Sequence, residues 1–252
     1  MVRPMGGTVT TRGARAVLLG GLIDHAALFP PASLGLDEAL AEDARIRRAP
    51  ESWLVGRFVC PASRLVDLGD ADVRLTVVLD DPAALLDDPR VEAVEVPPGV
   101  PADVAVPVEE VYVERSIGEL GWLDDVARLG RRAKVRCGGG VVPAADELAA
   151  FVARCRERGV PFKATAGLHH PVTEPGRHGF LNLLAAAVFG DEEAALRETD
   201  ASAFTLDDER FGWRGRESGP DELARVRREL FVAFGSCSVA EPVEDLRALD
   251  LL

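Results

Sequence analysis

The stretch AKVRCGGGVVPAADELAAFVARCRERGVPFKATAGLHHP, residues 133–171, lays out one fold unit in order. AKVRCGG is short and ends on glycines, as a strand running out into a loop does. PAADELAAFVARCRERG carries apolar residues three and four apart, the spacing of an amphipathic helix, and stops at a glycine. VPFKATAG reads as the next strand. Strand, helix, strand in this order is a parallel βαβ unit, because parallel neighbours need a crossover of about this length.

Working outward, the same alternation covers most of the 252 residues. VLLGGLIDHA gives a first strand or strand-like entry, followed by the helical LDEALAEDARIRRAP. WLVGRFVCPAS and VRLTVVLDDP are strands two and three, the latter leading into a short helix, AALLDD. VEAVEVP and VEEVYVER are strands four and five, with no helix between them. GELGWLDDVARLG is a helix before strand six, GFLNLLAAAVFG a helix after strand seven, and LFVAFGSCS is strand eight. EPVEDLRALDLL closes the chain as a helix with acidic residues in its first turn. Eight strands and intervening helices predict a parallel (βα)8 barrel. A doubly wound open sheet is the alternative, but neither GxGxxG after the first strand nor GxxxxGK[ST] occurs. Residues 1–13 read as a flexible leader and 14–252 as a single domain. Residues 204–219, FTLDDERFGWRGRESG, interrupt the pattern and are expected to form a mobile lid over the barrel mouth.

A net charge of −13 argues against a nucleic-acid binder and disfavours docking on anionic membranes, although an acidic chain can still hold a small basic pocket. Hydrophobic content of 47% and charged content of 28% suit a soluble protein. Cys60, Cys137, Cys155 and Cys237 show no close pairing and read as reduced thiols of a cytoplasmic protein. AVLLGGLI is too short and too soon interrupted by Asp24-His25 for a secretory signal.

The chain holds 27 arginines and two lysines, and both lysines lie in the βαβ stretch. In a barrel, catalytic groups sit where strands run out at the C-terminal face. Lys134 and Arg136 share a strand face, as do Lys163 and Thr165, and inward orientation brings all four into the mouth. Lysine, unlike arginine, can shed its proton and act as a nucleophile, and a neighbouring cation favours the neutral amine. The alternative is that each lysine pairs with an acid such as Glu114 or Asp24 in a structural ion pair. His169 and His170 are read as proton carriers, with Asp24 among the catalytic candidates and His25 and Glu114 as substrate-binding groups. Gly138, Gly139, Ser236 and Ser238, at the ends of strands six and eight, can offer amides and hydroxyls to an anion. The cysteines are read as packing residues. No HxH or HExxH pattern marks a metal site, and no cofactor is expected.

Together AKVRCGGG, VPFKATAGLHHP and HGFLNLLAAA resemble an uncharacterised bacterial family with K-x-R-x-G-G and F-K-x-T-A-G-L-H-H-P motifs. FKATAG and KVRCGG are also distantly similar to the two lysine strands of deoxyribose-phosphate-aldolase-like class I aldolases. That resemblance implies a (βα)8 barrel with Lys163 as the Schiff-base lysine and Lys134 as its accessory. The aspartate that works with those lysines would be Asp24 or Asp80. The expectation is a lyase for a small anionic carbonyl compound, with Arg136 holding the anion. The alternatives are a metal-assisted hydrolase using His25, His169 or His170 with Asp24, and a non-catalytic barrel that binds an anionic metabolite.

Overall fold

A computed structural model describes residues 13–252 except positions 85 and 141, so the expected leader lies almost wholly outside the described residues. Eight parallel strands close into a barrel: β1 (Ile23–His25), β2 (Val55–Pro61), β3 (Leu75–Val78), β4 (Val91–Val96), β5 (Glu110–Glu114), β6 (Arg132–Arg136), β7 (Phe162–Thr165) and, last in the chain, β11 (Phe231–Ser236). They pair in chain order, β11 closing the ring between β7 and β1.

The helices explain the outer layer. α4 (Ala145–Arg158) has the apolar stripe that its spacing predicts, and Phe151, Val152 and Cys155 are buried along it. Its start is fixed by the Glu147 carboxylate accepting from the Ala144 N–H at 2.8 Å. Gly159, at φ 62°, ends it in the left-handed conformation. Phe151 meets Phe162 edge-on at 5.2 Å, and Phe162 stacks on Phe231 at the same distance. These rings fill the layer between barrel and helices, which turns the alternate residues of β6 and β7 inward. α5 (Phe180–Phe189) is apolar all round and almost wholly buried, as such a helix must be. α2 (Leu36–Ile46), α3 (Trp122–Arg128), α7 (Pro220–Glu229) and α8 (Ala240–Ala248) complete the ring with the short α6 (Glu192–Leu196).

Three sequence expectations are corrected. The apolar run before β1 is not one strand: residues 14–19 form the helix α1 (Ala14–Leu19), and the chain turns at Gly20 and Gly21 before β1. The described residues of 83–88 are irregular after a turn at residue 83, not a helix. Residues 204–219 fold as a three-stranded antiparallel sheet: β8 (Phe204–Leu206), β9 (Phe211–Trp213) and β10 (Arg216–Ser218). Phe211 and Trp213 are buried, and Phe189 at the end of α5 stacks on Phe211 at 5.6 Å. The connection before β9 ties to α1, where the Ala14 N–H donates to the Asp208 carbonyl at 2.8 Å. This sheet packs on the barrel flank, and none of its residues lines the mouth cavity.

Among the described residues no helix is long and apolar enough to cross a membrane.

Candidate active site

Pairing in register sets Lys134 beside Lys163 and Arg136 beside Thr165. The lysines point into the barrel and are buried, Lys134 at 4% exposure and Lys163 at 1%. Their ammonium groups do not face each other bare. Glu95, from β4, lies between them, 2.5 Å from Lys134 Nζ through Oε2 and 2.6 Å from Lys163 Nζ through Oε1. Lys163 also meets Asp24 Oδ2 at 2.6 Å, and Lys134 meets Glu114 Oε2 at 2.9 Å. Arg136 Nε donates to Glu114 Oε1 at 2.7 Å. The result is one alternating chain, Asp24–Lys163–Glu95–Lys134–Glu114–Arg136, in which three carboxylates balance three cations. The ring of Tyr112 lies 5.4 Å from Lys163 Nζ and adds a cation–π contact from β5.

The backbone is shaped for this chain. Asp24 Oδ1 accepts from the Arg57 N–H at 2.8 Å. A Cβ on Gly56 would lie 2.4 Å from that same oxygen, so only glycine lets β2 pass Asp24 so closely. At the mouth, a Cβ on Gly138 would lie 2.9 Å from the Gly167 Cα, and Gly167 itself has φ 74°. The glycines after β6 and β7 therefore serve the close approach of two strand ends.

The electrostatics follow from burial and pairing. Burial works to raise the Glu95 carboxyl, but the two lysines outweigh it and hold it at about 2. Burial likewise opposes ionisation of Glu114, and Lys134 and Arg136 hold that carboxyl below the usual range. For Lys163 burial favours the neutral amine, yet Asp24 and Glu95 prevail and raise it above the ordinary lysine value. The expectation that Lys134 would drive Lys163 toward neutrality is therefore reversed. Two carboxylates close to Lys163 outweigh a second cation from which Glu95 shields it.

Above the ion-pair chain lies a cavity of about 190 Å³ lined by Glu95, Lys134, Arg136, Thr165, His169 and Cys237, among others. Lys163 and Asp24 do not line it. Lys134 is thus the lysine at the floor of the mouth, while Lys163 stands behind it. Gly139 reaches the cavity wall. Glu114 is the counter-ion of Lys134 and Arg136 and does not line the cavity.

Other expected residues are placed elsewhere. His25 points outward, fully buried between β1 and α2, with Nδ1 3.1 Å from Asp43 Oδ1 and its ring edge-on to Phe58. The strand alternation that aims Asp24 inward sends its neighbour outward. His170 is bonded to Asp245 at 2.6 Å and lines an outer cleft rather than the mouth. Ser236 donates to the Ser238 carbonyl at 2.6 Å, and Ser238 borders an outer cleft. Asp80 is engaged by Ser63, away from the lysines. No group of three His, Cys, Asp or Glu side chains that could hold a metal occurs among the described residues.

Glu95 and Tyr112 were missed by sequence reasoning. Glu95 had a signal: in VEAVEV alternation puts Ala93 and Glu95 on one face, and three inward cations require carboxylates inside the barrel.

Fold and site together define a parallel (βα)8 barrel with a buried lysine–carboxylate chain beneath its mouth. No family model and no curated protein matches the chain. Among solved structures it is similar to the tetrameric deoxyribose phosphate aldolase from Aeropyrum pernix, at 15% identity and TM-score 0.40 over 93% of each chain.

Proposed function

We propose that this protein is a lyase acting on a small anionic carbonyl compound, with Lys134 as the amine that meets the carbonyl carbon. The observation that carries this reading is the position of Lys134 at the cavity floor, with carboxylates at 2.5 and 2.9 Å and Arg136 two residues further along the same face. His169, which lines the same cavity, is the group placed to take a proton from the ammonium, since Glu95 and Glu114 are held below the usual carboxylate range and favour the charged lysine. The neutral amine adds to the carbonyl, and loss of water leaves an iminium that can accept the electron pair of a breaking carbon–carbon bond. His169, at the cavity wall, moves the proton. Lys163 keeps its charge and balances Glu95 and Asp24 as Lys134 changes state. In this reading the roles of the lysines are exchanged relative to the sequence resemblance.

The test is borohydride reduction in the presence of keto acids, hydroxyaldehydes and their phosphates, followed by intact mass and peptide mapping. The expected result is a single adduct on Lys134, seen as loss of tryptic cleavage after that residue. An adduct on Lys163 would return the nucleophile to β7, and turnover with no trapped adduct would reject Schiff-base chemistry.

Arg136 has a side chain 54% exposed and one carboxylate partner, so its remaining guanidinium N–H groups are available to an anion. Arg136→Leu is expected to weaken binding of an anionic carbonyl compound roughly tenfold to a hundredfold, the range of about 1.5–3 kcal/mol for a charged hydrogen bond. Calorimetric titration measures this, with an unshifted Tm as the control that the fold is intact.

A further inference from the structure

The lysine chain leaves one reactive group at the mouth unused. Cys237 follows β11 and lines the cavity wall together with His169. Its Sγ lies 3.9 Å from His169 Nε2. On the other side of the ring, Nδ1 is 2.9 Å from Glu241 Oε2 on α8 and 3.4 Å from Ser236 Oγ. Ser236 Oγ donates to the Ser238 carbonyl and is therefore free to accept from Nδ1–H. With the proton there Nε2 is bare toward the thiol, and Glu241 lies within ion-pair reach of the same ring edge. Nucleophile, base and orienter thus stand in sequence, the arrangement that activates a side-chain nucleophile. The other three cysteines lack this. Cys60, Cys137 and Cys155 are fully buried, and burial pushes the Cys60 and Cys137 thiols up to about 12.

We propose that Cys237 is a second nucleophile of the mouth, served by His169 as base and by Ser236 and Glu241 as the residues that position it, and that its substrates are small aldehydes. The thiol proton passes to Nε2 as sulfur bonds to the carbonyl carbon. The carbonyl π pair moves to oxygen, which takes the proton back from the imidazolium. Thiol and aldehyde give a hemithioacetal, with no other reactant. Burial raises the Cys237 thiol, while the Ala32 amide opposes this. The group therefore rests as a thiol and depends on its base. The proposal stands on the geometry of β11, the β7 loop and α8 and does not require Lys134 to form an imine.

Iodoacetamide is the probe, with the sites of labelling mapped by mass. Cys237 is expected to react at least tenfold faster than the other three cysteines and faster than N-acetylcysteine at the same pH. His169→Ala should lower the rate about tenfold, and added imidazole should restore it. In protein labelled with 15N-histidine, His169 should be the Nδ1–H tautomer, and Glu241→Gln should shift it toward a mixture. Glyceraldehyde should slow Cys237 labelling, and should still do so in Lys134→Arg, where no imine can form at position 134. Labelling no faster than N-acetylcysteine, or a rate unchanged in His169→Ala, would overturn the proposal. Protection lost in Lys134→Arg would show that the aldehyde acts at the lysine and would overturn the aldehyde assignment while supporting the Schiff-base reading.

Discussion

Glu95→Gln is expected to destabilise the protein by about 3–5 kcal/mol at pH 7, the range for removing one partner from a buried charge cluster. Glu95 is the shared counter-ion of two ammonium groups that have almost no access to water. Glutamine has nearly the same shape, but its amide oxygen can accept from only one side while its NH₂ faces the other ammonium, donor against donor. The loss should depend on pH with a definite sign. The carboxyl sits at about 2 in the folded protein against an ordinary 4.5. Its contribution is therefore present in full above about 4.5 and is lost as pH falls toward 2. Two and a half pH units correspond to about 3 kcal/mol. At pH 3 wild type and Glu95→Gln should differ much less than at pH 7. Urea unfolding at both values measures this, and midpoints that coincide at pH 7 would refute the shared-counter-ion reading. The alkaline side has the opposite sign. Lys163 is raised in the folded state, so its contribution holds below the ordinary lysine value and is lost only as pH climbs through the higher folded one.

Much of this architecture was legible in the sequence, and the reasons differ between elements. Residues 133–171 could be read because both periods are clean there. The helix repeats at three and four, and the strands alternate strictly enough to aim Lys134 and Lys163 at one interior. The same alternation, applied to IDH, separates Asp24 from His25, which a strand-end reading had grouped together. Residues 17–26 misled because their apolar run has no period, so a short buried helix followed by a strand looks like one long strand. Residues 204–219 looked polar, yet Phe204, Leu206, Phe211 and Trp213 are buried in a small sheet that packs on Phe189 and α1. Sparse aromatics at two-residue spacing were the available signal. The order of groups along the ion-pair chain was not legible. It depends on which strands become neighbours around a closed ring and on how far up each strand a side chain leaves it. Glu95 on β4 meets lysines of β6 and β7 across the barrel interior, a contact that no spacing along the chain encodes.

Lys163→Met is expected to cost about 3–5 kcal/mol, and Asp24→Asn in the same chain should recover part of that loss. The argument rests on what each substitution leaves behind. Lys163 holds Asp24 and Glu95 at 2.6 Å each. Methionine fills similar space against the Tyr112 ring but carries no charge, so Asp24 is left buried with one backbone N–H, that of Arg57, at 2.8 Å. Glu95 fares better because Lys134 remains at 2.5 Å. The uncompensated charge is therefore mainly that of Asp24, and removing it restores neutrality. A cycle of the four proteins should give a coupling energy of about 1–3 kcal/mol between positions 24 and 163, as expected for groups in direct contact. Additive losses would mean that Lys163 is not held by Asp24. The same double variant separates the two lysines chemically. Lys134 retains both of its carboxylates there, so the borohydride adduct on Lys134 should still form, at a rate changed by no more than about tenfold. Loss of that adduct in a folded Lys163→Met/Asp24→Asn protein would place Lys163 in the chemistry itself and not in the support of its neighbour.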